Sequence, residues 1–281
     1  MNNKVIICAT IKNEDNNLKS FFNTITKIIK SFDDYYVILV ESDSTDNTLK
    51  LAQNLMKDFY GIVISVNTDH LNFRTEKLSY CRNKYIDYIK NNEKLSKFDL
   101  LIIADVDKVN NYINEKKILN SLINAPSNWV GLFANQKLLY YDVWPLRLHG
   151  IINFDCYEKF INLSKVFTPK KSYFLSVFKY FFVIRKFKER YISVNSAFGG
   201  FGIYKLSYLL SFKYESNYGK NSEHVSFNKS ILNKYPSKSL YIDKELINFS
   251  GINEHILKSI FYCSTNYFSQ KLLDKFKKIY K

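Results

Sequence analysis

The stretch that most constrains the fold is Phe98-Asp99-Leu100-Leu101-Ile102-Ile103-Ala104-Asp105-Val106-Asp107. Its apolar run, rich in β-branched residues, shows no polar alternation. Both faces of the strand it predicts must therefore be covered, as in a parallel sheet with helices on each side. The run stops at two carboxylates one residue apart. A strand ending this way presents acid at its C-terminal tip, and ligands of open α/β sheets collect outside the carboxyl ends of strands. Carboxylate oxygens are hard donors suited to Mg²⁺ or Mn²⁺, and an ion held by one or two of them keeps positions for a substrate's phosphates. The spacing by itself does not single out Asp105 and Asp107, because Glu41-Ser42-Asp43 and Asp243-Lys244-Glu245 share it and a solvated turn would also carry acids. Their place at the end of a buried strand does.

Upstream, strand and helix patterns alternate. Lys4 to Ala9 reads as a strand, followed by the polar loop Thr10-Ile11-Lys12-Asn13-Glu14. Leu18, Phe21, Phe22, Ile25, Ile28, Ile29 and Phe32 then recur at steps of three and four, the stripe of a helix packed on a sheet. Tyr35 to Val40 is the next strand and delivers Glu41-Ser42-Asp43-Ser44-Thr45-Asp46-Asn47-Thr48. There Ser44 or Thr45 is placed to cap the helix bearing Leu49 to Met56, and Asp46 complements its dipole. A strand from Gly61 to Val66 and a helix from Arg74 to Ile89 precede the apolar run. This order predicts parallel pairing through right-handed crossovers. No G-x-G-x-x-G follows the first strand and no G-x-x-x-x-G-K-[ST] occurs, which speaks against dinucleotide-binding and P-loop enzymes.

The succession of an Asn-Glu loop, Glu-Ser-Asp-Ser-Thr-Asp-Asn-Thr, a helix with Arg82-Asn83, and Asp-Val-Asp resembles the nucleotide-sugar half of GT-A glycosyltransferases. It is most similar to family 2-like enzymes and the capsule-associated mannosyltransferase-like group. Family 2 usually has D-D-G-S-T-D-G-T at the second strand; here Glu41 and Ser42 replace the two Asp, and Asp43 and Asn47 the two Gly. The likeness spans roughly residues 4 to 142. It implies an α/β fold of GT-A (Rossmann-like) type: a mixed, mainly parallel sheet flanked by helices in one catalytic domain over 1–281. Residues 1–142 would be the nucleotide-sugar-binding half, 143–255 the acceptor-side half, and 256–281 a basic amphipathic tail.

The resemblance also implies roles. Thr10, Asn13 and Glu14 would line the nucleotide pocket, Glu41 would contact base or ribose, and Arg82 with Asn83 would approach ribose and diphosphate. Asp105 and Val106 would border the nucleotide, with Asp105 and Asp107 on Mn²⁺ or Mg²⁺. The donor would be a UDP- or GDP-linked sugar and the acceptor a glycan or lipid-linked glycan of surface polysaccharide synthesis. For Glu41 and Asp43 the alternative is a capping turn, and for Arg82 an ion-paired helix face.

Past the acid pair, Asn128 to Ala134 and Lys137 to Asp142 read as a hairpin, and Val143-Trp144-Pro145-Leu146-Arg147 as a rigid corner holding Asp142 and Arg147 at the pocket mouth. Trp144 also reads as plain core. Tyr191 to Ser196 reads as a strand. Gly199, Gly200 and Gly202 around Phe201 suggest close backbone approach to a ligand, or a tight turn; the resemblance places Gly199 and Gly200 beside the acceptor. Ser222-Glu223-His224-Val225 opens a helix, where the resemblance makes Glu223 the catalytic base of an inverting hexosyl transfer and His224 an acceptor-side residue. The plainer readings are a first-turn acid favoured by the helix dipole and a structural histidine. Tyr241 to Asp243 is a short strand. In the following loop His255 is a candidate to complete the metal shell, or a lone surface histidine.

A net charge of +15 and a pI near 9.4 point to an anionic partner. Residues 165 to 190 carry eight Lys or Arg against Glu189 alone, interleaved with aromatic and aliphatic bulk. That mixture suits an anionic membrane surface, as does the basic tail from Lys271, although a core-facing helix with a basic outer face would look the same. No zinc pattern, RNP1-like segment or helix-turn-helix signature favours nucleic acid. The four cysteines lie far apart without a C-x-x-C pair, and neither a signal peptide nor an apolar run of about eighteen residues occurs. Reduced thiols and a cytoplasmic location, peripheral on the membrane, are the expectation. Two competing functions remain. A sugar-phosphate nucleotidyltransferase would need a Gly-rich basic loop after the first strand, which is missing. A non-enzymatic basic module would bind nucleic acid or membrane without any metal.

Overall fold

The computed structural model describes residues 3–216, 221–249 and Ser259. The strands β1 (Lys4–Ile11), β2 (Asp34–Ser42), β3 (Gly61–Val66) and β4 (Leu100–Ala104) pair in parallel, as the alternating pattern predicts. Between them run α1 (Asp15–Ile29), α2 (Thr48–Met56) and α3 (Arg74–Lys90). The unbroken apolar runs are explained by cover on both sides. Val5, Ile7 and Ala9 of β1 pack with Leu18 and Phe22 of α1 and Ala52 of α2, while Ile6 and Cys8 pack with Tyr85 and Ile86 of α3. Each β1 side chain from Val5 to Ala9 is fully buried, at about 1.5–3 kcal/mol for a large aliphatic side chain.

The second half widens the sheet with strands of mixed direction. After α4 (Glu115–Asn124) come β5 (Trp129–Gln136), α5 (Cys156–Leu163), α6 (Pro169–Ser176), a 3-10 stretch from Phe178 to Lys186, β6 (Tyr191–Val194), β7 (Phe201–Lys205), α7 (Glu223–Lys234) and β8 (Ser239–Phe249). The sheet order is β3-β2-β1-β4-β7-β5-β8-β6. β7 inserts antiparallel between β4 and β5, β8 runs parallel to β5, and β6 closes the edge antiparallel to β8. Phe160 of α5, Tyr173 of α6 and Phe227 of α7 join the core on the α3 side.

Three local expectations are corrected. No hairpin spans 128–142: β5 finds its partners in the distant β7 and β8, and 137–142 is irregular. Neither Ser44 nor Thr45 caps α2; Asp46 accepts from the Thr48 N–H at 2.9 Å instead. The last strand extends well past Asp243 to Phe249. Cys8, Cys81 and Cys156 are buried free thiols. Among the described residues no helix is long and apolar enough to cross a membrane.

Candidate active site

Parallel pairing brings the C-terminal tips of β1, β2 and β4 to one edge of the sheet. Two non-glycine residues there adopt left-handed backbone, Asn13 (φ 54°) and Asp43 (φ 50°), residue types that tolerate it through local hydrogen bonds. Asn13 Oδ1 accepts from the Thr45 N–H at 2.8 Å, and the Asn13 N–H donates to Ser44 Oγ at 3.1 Å. Asp43 accepts from the backbone and hydroxyl of Thr68, and these bonds hold its carboxyl below the usual range. The β1 and β2 loops are thereby locked together beside a cavity of about 670 Å³.

Asp105 lines that cavity with Asp107, Asp142 and the β1 loop from Thr10 to Glu14, Val106 included. Removal from water, and then the neighbouring Asp107, push the Asp105 carboxyl well above its ordinary value, with Asp142 adding to the effect and Arg82 opposing it. Acids crowded this closely favour a cation between them. The Asp105 tip is braced from behind. Its N–H donates to Gly200 O at 2.9 Å, and Asn110 Nδ2 spans Asp105 O (2.8 Å) and Gly200 O (2.9 Å). Gln136 and Asn248 both donate to Gly199 O, at 2.9 and 2.7 Å. Gly199 and Gly200 have φ of 67° and 79°, and a Cβ on Gly199 would stand 2.7 Å from Ala134 O. The double glycine is thus needed for the chain to pass close under the acid tip.

Arg74, Lys77 and Arg82, all on α3, line the same cavity. Arg82 is buried, and its Nε donates to Glu223 Oε1 at 3.0 Å. Its guanidinium lies 5.3 Å from the Phe198 ring centroid and 5.7 Å from that of Tyr214. Burial works against its charge, but the surrounding Tyr85 and Glu223 hold its pKa well above the ordinary value. Asp142 accepts from the Gly199 N–H at 2.7 Å. Its carboxyl is pushed up to about 7, chiefly by removal from water and also by the charge of Glu223.

Thr10, Asn13, Glu14, Arg82, Asp105, Val106, Asp107, Asp142, Glu223 and His224 are brought together as cavity walls. Others are not. Glu41 is spent on structure, accepting from the Ser44 N–H at 2.8 Å and the Ser65 hydroxyl at 2.6 Å. Asn83 exchanges two hydrogen bonds with the Tyr214 backbone, away from the cavity. Arg147 pairs with buried Asp155 at 3.1 Å and donates to Trp144 O and Leu146 O, so it is a clamp beneath the corner rather than a charge at the mouth. Trp144 and Pro145 of that corner do line the cavity, as does Phe198. Gly199 supports the site through its backbone, without lining the cavity. His255 and the tail over 256–281 lie outside the described residues. Sequence reading missed Arg74 and Lys77; their i, i+3 spacing, continued by Leu78 and Cys81, is the signal that puts them on one helix face.

Among the described residues no group of three or more His, Cys, Asp or Glu is placed to hold a metal ion. The donor set suits a hard divalent cation held by one or two carboxylates, with its other positions open to phosphate oxygens.

No family model and no curated protein matches the chain. Solved structures do. A mannosyltransferase from Pyrobaculum calidifontis, in complex with GDP-Man and Mn²⁺, aligns over 90% of this chain with a TM-score of 0.55 at 11% identity; the chain spans 58% of that enzyme's length. Glucosyl-3-phosphoglycerate synthase from Mycobacterium tuberculosis, with Mn²⁺, UDP and phosphoglyceric acid, aligns over 95% of this chain and 80% of its own, at TM-score 0.50 and 10% identity. Residues 1–349 of S. aureus TarS with UDP-GlcNAc align over 90% of this chain and 60% of that one, at TM-score 0.50 and 14% identity. At such identities the likeness is one of fold.

Proposed function

We propose, from a GT-A fold whose strand tips share one cavity between acids and basic side chains, that this chain transfers a sugar from a nucleoside diphosphate sugar to a hydroxyl of a glycan or glycolipid. The observation that carries the reading is the meeting of Asp105 and Asp107 with Arg74, Lys77 and Arg82 around one cavity. A bare acid cluster would repel a diphosphate and a bare basic cluster would need no acids. A diphosphate with a divalent cation needs both. Asp105 and Asp107 would hold Mn²⁺ or Mg²⁺, which when bound acts as a Lewis acid toward the leaving diphosphate. The β1 loop, Thr10 to Glu14, walls the nucleoside side. Arg74 and Lys77 stabilise negative charge as it grows on the departing phosphate, where fixed donors in a site shielded from water act most strongly. Transfer in one displacement inverts the anomeric carbon, and the whole of 1–281 serves as one catalytic unit.

The same reading gives the basic aromatic segment a purpose. Phe174 and Phe182 are 45% and 38% exposed, joined through Phe178 at ring distances of 6.1 and 5.7 Å. Lys171, Lys179, Arg185 and Lys186 of the same segment are exposed. A ridge of this kind suits an anionic bilayer carrying a lipid-linked acceptor for surface polysaccharide synthesis.

A thermal-shift panel of UDP, GDP, CDP and TDP, each with Mn²⁺ or with EDTA, tests the central reading. One nucleotide is expected to raise Tm only with the metal, by the equivalent of about 2.7 kcal/mol at a hundredfold excess over Kd. No shift with any of the four would overturn it.

A further inference from the structure

His224, the second residue of α7, is 2% exposed and yet lines the cavity with Asp105, Asp107 and Asp142. Its ring lies flat on Phe198, centroids 4.0 Å apart at 21°, and meets the edge of Tyr214 at 5.6 Å and 84°. The aromatic walls therefore fix its plane. Among the described residues neither ring nitrogen has a hydrogen-bond partner. A buried polar atom left in that state is costly, and such a cost is found where a site is shaped to a ligand's polar group. The neighbouring acid is engaged elsewhere: Glu223 Oε1 accepts from Arg82, and His224 Nε2 stands 3.8 Å from that oxygen, beyond hydrogen-bonding reach. Burial, and then the Arg82 charge, lower the imidazole's pKa, so it is neutral at pH 7 with a lone pair to offer.

We propose that His224, rather than Glu223, accepts the proton of the attacking acceptor hydroxyl, while Arg82 and Glu223 act as positioning residues; this rests on the transferase reading above. The hydroxyl oxygen forms a bond to the anomeric carbon as the bond from that carbon to the phosphate oxygen breaks. The leaving diphosphate keeps the electron pair, and the hydroxyl proton passes to an imidazole nitrogen. Because an alcohol oxygen bonding to a sugar cation becomes strongly acidic, even a weakly basic imidazole takes its proton late in the step.

The test uses GDP-mannose, UDP-glucose and UDP-N-acetylglucosamine as probes, with Mn²⁺ and water as nucleophile, and follows release of the nucleoside diphosphate. His224→Gln and His224→Gly are expected to lower turnover about 100-fold or more while the Kd of the probe, measured by calorimetry, stays within about twofold. Added imidazole is expected to restore turnover to His224→Gly and not to the wild type. Wild-type turnover in His224→Gln, or no rescue of a His224→Gly protein that still binds the probe, would overturn the assignment and leave the transferase reading standing. A wild-type protein that neither binds nor hydrolyses any of the three would remove that reading and this inference together.

Discussion

The buried Arg82–Glu223 pair makes the sharpest prediction about how the site is held. Both residues are at most 4% exposed and meet at 3.0 Å, so Glu223→Ala leaves a guanidinium stranded in protein. Removing one partner of a buried pair costs about 3–5 kcal/mol. The rings of Phe198 and Tyr214, at 5.3 and 5.7 Å, return part of this, since a desolvated cation over a ring is worth up to about 2 kcal/mol. The expected loss is therefore near the lower end, about 3 kcal/mol. At roughly 2–4 °C per kcal/mol for a chain of a few hundred residues, Tm falls by about 6–12 °C. The double variant Arg82→Met with Glu223→Leu removes both charges together and is expected to cost less than the summed losses of Arg82→Met alone and Glu223→Leu alone. Urea unfolding in metal-free buffer, followed by far-UV circular dichroism, measures all four corners of the cycle. A Glu223→Ala loss below about 1 kcal/mol, or strict additivity in the double variant, would refute the positioning role.

Three further outcomes follow from the same geometry. Asp142, raised to about 7 when folded against an ordinary value near 3.9, keeps its proton in the folded state only below about pH 7. Its contribution to stability is full below about pH 4 and is lost as pH rises through about 7. In EDTA, Asp142→Asn should flatten the fall in stability between pH 5 and pH 8, and an unchanged slope would contradict it. Gly199→Ala forces a left-handed alanine whose Cβ meets the Ala134 carbonyl, so it should destabilise by about 1–3 kcal/mol in the same assay. Phe174→Ser with Phe182→Ser should reduce sedimentation with phosphatidylserine vesicles while leaving Tm within a degree or two; undiminished binding would show that the ridge does not dock.

How far each feature was legible depended on the range of the interactions that make it. β1 to β4 and their helices follow from periodicities within single segments, and the acid tip follows from where β4 ends. β5 was recognisable as a strand, but its partners Phe201–Lys205 and Ser239–Phe249 lie 65 or more residues away, so a local pattern suggested a hairpin instead. The same holds for side chains. Glu41 and Arg147 carried the right chemistry for ligands, yet each is satisfied by a partner that only folding supplies, Ser65 and Asp155. Asn110, Gln136 and Asn248 are ordinary polar residues in the sequence. Only the long-range turn of Gly199 and Gly200 under Asp105 makes them the frame of the site.

The proposed transfer requires a divalent cation held at Asp105 and Asp107 together with a nucleoside diphosphate. Electron paramagnetic resonance of Mn²⁺, titrated with the protein plus UDP or GDP, reports this directly, because the six-line signal of the free ion disappears on binding. The wild type should deplete that signal far more with the preferred nucleotide than without it, and Asp107→Ala should leave the free-ion signal nearly intact while its circular dichroism matches the wild type. Equal depletion by wild type and Asp107→Ala, or depletion indifferent to the nucleotide, would contradict the account.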